Sequence, residues 1–68
     1  MRYTDDQLTE AKRQIDSTLH KLRETLKTLE GKENPSRYKS QITLARRRIE
    51  AFGMAVDLIE KELDSKAE

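Results

Sequence analysis

Between Tyr38 and Leu63 the apolar residues recur at alternating steps of four and three: Tyr38, Ile42, Ala45, Ile49, Phe52, Val56, Ile59 and Leu63. That spacing keeps one stripe of side chains on one side of a helix and predicts a heptad seam. Ile42, Ile49, Val56 and Leu63 take position a. Tyr38, Ala45, Phe52 and Ile59 take position d. A second stripe precedes this one. Leu8, Ile15, Leu22 and Leu29 repeat every seven residues, with Leu19 and Leu26 as the companion row and Lys12 interrupting it. A lysine at that point can lay its stem along the seam and keep its ammonium in water.

The first helix has a complete start signal. Thr4 as N-cap can accept from the backbone N–H of Gln7 while the Gln7 side chain reaches back to Thr4, a capping box. Tyr3 and Leu8 stand where a hydrophobic staple would form, and Asp5 and Asp6 where the positive end of the helix dipole favours carboxylates. Gly31 is the expected stop, in the left-handed conformation that closes a last turn. Lys32 and Glu33 form the loop, and Asn34-Pro35 is expected to cap and restart the chain as a helix. Two long helices joined by so few residues run antiparallel. The prediction is therefore all-α: an antiparallel two-helix hairpin over about 4–30 and 35–64, forming a single domain over 1–68. Its expected centre is Ile15, Leu19, Leu22, Leu26, Ile42, Ile49, Phe52 and Val56, and residues 64–68 are expected to fray for want of a cap or an apolar anchor.

Composition makes a lone hairpin look incomplete. A chain of 68 residues buries too little apolar surface to be comfortably stable unless a staple or a partner helps. It has no cysteine and one histidine, so neither a disulfide nor a thiolate zinc site supplies that staple. Self-association is the remaining remedy. The net charge of +1 gives no overall attraction to polyanions. Met1 to Asp6 does not read as a secretory or transit signal, and no window approaches the run of about 20 apolar residues that crosses a bilayer. The expectation is a cytoplasmic protein without membrane contact.

The flanks of the two seams point to where a partner would sit. On the second helix, positions c and g include Leu44, Ala51, Ala55 and Leu58, which extend the apolar surface beyond the seam. On the first helix the g positions are the small residues Ala11, Thr18 and Thr25, and the e positions are Thr9, Asp16, Arg23 and Glu30. In an antiparallel pair the two g flanks share one side, so one edge is small and apolar and the other charged. Exposed leucines are common on proteins, but four apolar residues aligned with three small ones favour a self-association edge. Charge order adds an orientation. Pro35 to Ile49 holds five basic residues and no acidic one, whereas Glu50 onward holds six acidic residues against Lys61 and Lys66. An antiparallel mate sets each basic half against an acidic half. The expected assembly is a homodimeric four-helix bundle with loops at opposite ends, its interface drawn from Leu44, Arg48, Ala51, Ala55, Leu58 and Glu62. The twofold axis falls between Ala51 and Ala55. An axis near Ala55 would face Arg48 with Glu62 of the mate.

Candidate chemistry is sparse. Arg46, Arg47 and Arg48 are successive, so they fan around the helix and present no flat phosphate-binding face. Arg13, His20 and Lys27 repeat every seven residues with Arg23 alongside, a row that could follow a phosphate backbone together with Arg46 and Arg47. Asp16 and Glu24 interleave it, and a solvated helix face is the simpler account. Dimeric helical hairpins that bind RNA exist, the Rop bundle among them, an analogy of architecture alone. His20 sits at an outer position, and the Asp5-Asp6 and Glu60-Glu62-Asp64 groups lack the enclosed cleft that acid–base chemistry needs. Gly53 either admits another backbone or is tolerated at the usual cost of a helical glycine. No phosphate loop, cofactor motif or nucleophile with a base is present. The reading is a non-catalytic self-associating module without cofactor or small-molecule substrate, with a larger protein as a further partner; the competing reading is a small nucleic-acid-binding regulator.

Overall fold

A computed structural model describes residues 2–67, without the side chains of Pro35, Lys66 and Ala67. The chain forms helix α1 (Asp5–Glu30), a 3-10 turn (Pro35–Tyr38) and helix α2 (Lys39–Ala67). The helices pack side by side as an antiparallel hairpin, a rod of 50 × 17 × 15 Å. Its radius of gyration is 15.3 Å, against about 11 Å for a compact domain of this length.

Local signals set the start of α1. Thr4 is the N-cap: the Gln7 N–H donates to Thr4 Oγ1 at 3.1 Å and the Thr4 N–H donates to Gln7 Oε1 at 2.9 Å. Both halves of the capping box are thus formed. Tyr3 and Leu8 line one shared surface depression.

Three expectations at the other ends are corrected. Gly31 ends α1 in the right-handed region, at φ −84° and ψ −2°. Its N–H still reaches the Lys27 carbonyl at 3.1 Å and the Lys32 N–H reaches the Leu29 carbonyl at 3.3 Å, so the last turn tightens and needs no left-handed residue. Asn34 does not cap through its side chain. The Arg37 N–H closes instead on the Asn34 carbonyl at 3.0 Å, and the chain passes through a 3-10 turn before the α-helix begins at Lys39. The second helix runs past its expected end at Asp64, since α2 continues to Ala67; Asp64, Ser65 and Lys66 include no helix breaker. Glu68 lies outside the described residues.

The core is a thin line. Leu8, Leu19, Leu29, Ile42, Ala45 and Val56 are buried, and among the described residues no side chain is fully enclosed. Of the expected centre, Leu19, Ile42 and Val56 are buried, while Ile15, Leu22, Leu26, Ile49 and Phe52 are only half-buried. Two helices meet along one line, so these five seam residues are covered from one side and open on the flank. A folded monomer of 8.0 kDa exposes about 4,450 Å². This hairpin exposes 5731 Å², roughly 1,300 Å² more by the same scaling.

Candidate functional site

The two edges of the hairpin differ in kind. On the charged edge, position e of one helix meets position e of the other. Arg46 of α2 bonds Glu30 of α1 there. Lys12 lies half-buried along the seam, with Nζ 3.4 Å from Asp16 and 3.7 Å from Glu60. Its ammonium therefore lies between a carboxylate of its own helix and one of α2.

The opposite edge is open. Three shallow depressions follow one another along it, each lined from both helices or from the helix and its lead-in. Near the chain termini Tyr3, Gln7, Leu8, Ala11 and Ile59 enclose about 320 Å³. In the middle Gln14, Ile15, Thr18 and Phe52 enclose about 120 Å³. Toward the loop Leu22, Thr25, Leu29, Leu44 and Ala45, with Gln41 and Arg48 beside them, enclose about 210 Å³. The small residues Ala11, Thr18 and Thr25 leave room for these hollows, because no bulky side chain stands at position g of α1. Leu44 and Leu58 stand next to them 47 % and 66 % exposed. Arg48, Ala51 and Glu62 are exposed on the same edge and Ala55 is half-buried. By heptad position these residues fall at c and g of α2, the positions that flank the open edge.

No protein-family model, curated protein or solved structure matches this chain. Its geometry alone carries the functional reading.

The basic row is less available than its spacing implies. The Arg13 guanidinium donates to both oxygens of Glu10 at 2.8 to 3.0 Å, and the Gln14 amide donates to Glu10 at 2.9 Å. Those bonds, Gln14 first and then Arg13, hold the Glu10 carboxyl below its ordinary value. Glu10 and Gln14 are one turn apart on the same face, so this cluster was readable from spacing. Arg46 is likewise engaged by Glu30. Among the described residues His20, Arg23, Lys27 and Arg47 are exposed without an ion pair. No cluster of three potential metal ligands occurs among the described residues, and no described helix is long and apolar enough to cross a membrane.

Folding reveals a charge pattern that spans both helices. The loop-side half, residues 20–48, carries nine basic and three acidic residues, net +6. The described residues of the other half carry five basic and nine acidic, net −4. The rod is electrically bipolar along its length. Only the α2 contribution could be read from one helix; the α1 contribution needs the antiparallel pairing.

Proposed function

We propose that this protein is a non-catalytic helical module that self-associates, its open edge docking on a second copy to complete a four-helix bundle. The observation that carries this reading is the open edge itself: three hollows in a row, with Leu44 and Leu58 exposed beside them. The surplus of roughly 1,300 Å² over a compact monomer exceeds the about 800 Å² per partner of a standard interface. Bipolar charge favours two rods lying antiparallel, since a parallel pair sets like ends together at a cost that salt reduces. Apolar cover would supply affinity and the charges orientation.

The nucleic-acid reading has less support, because Arg13 and Arg46 are already paired with carboxylates. Titration of RNA and DNA at falling salt tests it, and binding that grows steeply as salt is removed would revive it.

Sedimentation over low to high micromolar concentration tests the association. The expected result is a dimer that Leu58→Glu dissociates while circular dichroism stays helical. Leu58 is 66 % exposed, so in a lone hairpin that change should stay within about 0.5 kcal/mol. A wild-type monomer at high micromolar concentration would reject the proposal.

A further inference from the structure

The open edge of α2 carries a pattern that is symmetric about one residue. Leu44, Ala51 and Leu58 share position c, seven residues apart, with the small residue in the middle. A twofold interface requires a patch complementary to itself. Reversing α2 about Ala51 exchanges Leu44 with Leu58 and returns Ala51 to its own place.

We propose that the second copy docks with its twofold axis at Ala51, so that Leu58 of each α2 enters the loop-side hollow of the other and Leu44 covers the hollow near the termini. This inference rests on the self-association reading and fixes its register. Three observations converge on it. The loop-side hollow, lined by Leu22, Thr25, Leu29, Leu44 and Ala45, lies at the level of Leu44, where this register delivers the mate's most exposed leucine. The hollow lined by Leu8, Ala11 and Ile59 lies at the level of Leu58, where it delivers the mate's Leu44. The middle hollow, at Phe52, falls beside the axis, where Ala51 meets Ala51 and two helices can approach closely.

The positions of the hollows separate this register from the neighbouring one, while charge sets the antiparallel orientation common to both. With the axis at Ala51, Asp57, Glu62 and Asp64 stand level with Ala45, Ser40 and Tyr38 of the mate, within the stretch that holds Arg37, Lys39, Arg46, Arg47 and Arg48. The neighbouring register has its axis at Ala55. Leu58 would then meet the level of Phe52, where the hollow is the smallest of the three at about 120 Å³. Leu44 would fall opposite Lys66, past the hollow near the termini. The Arg48–Glu62 pairing belongs to that second register and is therefore not part of this one. In the Ala51 register the Arg48 stem lies instead over Met54 and Ala55 of the mate.

Since the chain has no cysteine, single cysteines report the axis directly. Ala51→Cys should form a disulfide-linked dimer under mild oxidation, because a residue on the axis meets its own copy within disulfide reach. Ala55→Cys alone should not. Mixed Leu44→Cys and Leu58→Cys chains should cross-link to each other in preference to themselves. Efficient self-linkage of the Ala55→Cys chain, or linkage only between Ala51→Cys and Ala55→Cys chains, would overturn this register while leaving dimerisation intact. Rescue of Arg48→Glu by Glu62→Arg would overturn it equally. Sedimentation of the reduced variants keeps the two questions apart: a dimer in which the Ala51→Cys chain fails to self-link refutes the register, and a monomer refutes the self-association on which it rests.

Discussion

Gly53→Ala tests which edge of the hairpin the proposed second copy would cover. Gly53 lies in the interior of α2 at position e, on the charged edge, and a Cβ built there meets no heavy atom within 4 Å. Glycine within a helix costs about 0.8 to 1 kcal/mol relative to alanine, because the unfolded chain has more backbone freedom to lose. With nothing in the way, the substitution should recover that amount. For a domain of this size 1 kcal/mol corresponds to about 4–8 °C in Tm. The assay is thermal melting by circular dichroism at matched protein concentration, since a self-associating protein melts higher when more concentrated. Sedimentation of the same variant supplies the second readout. A copy bound on the open edge leaves Gly53 uncovered, so the dissociation constant should not change. A lowered Tm or a weakened dimer would mean that another backbone approaches Gly53, and the assignment of the edges would then be wrong.

Other consequences follow from the same geometry. Thr4→Ala removes the hydroxyl that accepts from Gln7 and should cost about 1 kcal/mol in urea unfolding; an unchanged midpoint would mean the first turn contributes nothing to stability. Phe52→Ala should cost about 2 kcal/mol in the lone hairpin, roughly half the cost of truncating a fully buried phenylalanine, since Phe52 is half-buried. The cost should grow with protein concentration if a mate covers the middle hollow, and a concentration-independent value would count against that cover. The Glu10 carboxyl is held below its ordinary value of 4.5 by Gln14 and Arg13. A depressed carboxyl stabilises the fold above its unfolded value and loses that contribution as pH falls through its folded value. Glu10→Gln should therefore flatten the acid side of the stability curve below about pH 4.5, and an unchanged acid limb in melts would refute the cluster.

Most of the hairpin is legible in the sequence because its signals are local. Thr4 and Gln7 satisfy each other within one turn, and the heptad rows name the residues that face the partner helix. Burial is not legible in the same way. A seam position states a direction, whereas burial depends on how many elements surround it, and here Ile15, Ile49 and Phe52 face α1 or α2 yet stay open on the flank. The loop departs from its sequence signals for a related reason. Asn34 and Pro35 are good starters of an α-helix by propensity, but at φ −122° and ψ 75° Asn34 lacks extended cap geometry and the turn closes through its carbonyl. The charged edge is readable as a set of residues and not as pairs: Glu30 and Arg46 are far apart in sequence and meet only after the chain reverses.

The contrast between the edges decides which one a second helix can cover. On the charged edge the ion pairs Arg46–Glu30 and Lys12–Glu60 join α1 to α2. Exposed pairs of this kind add at most about 1 kcal/mol each to the hairpin, so they are poor candidates for what holds it together. Their larger effect is on approach. A helix laid over that edge would strip water from four charged groups, at several kcal/mol per ion unless each finds new partners. The open edge imposes no such cost over most of its length. Ala11, Thr18 and Thr25 leave space, Leu44 and Leu58 supply apolar surface, and the charged groups Arg48 and Glu62 can keep their ends in water at the rim. In the proposed dimer the cost of desolvation would thus direct association to one side of the rod, and the bipolar charge along its length would favour one of the two orientations a mate could take on that side.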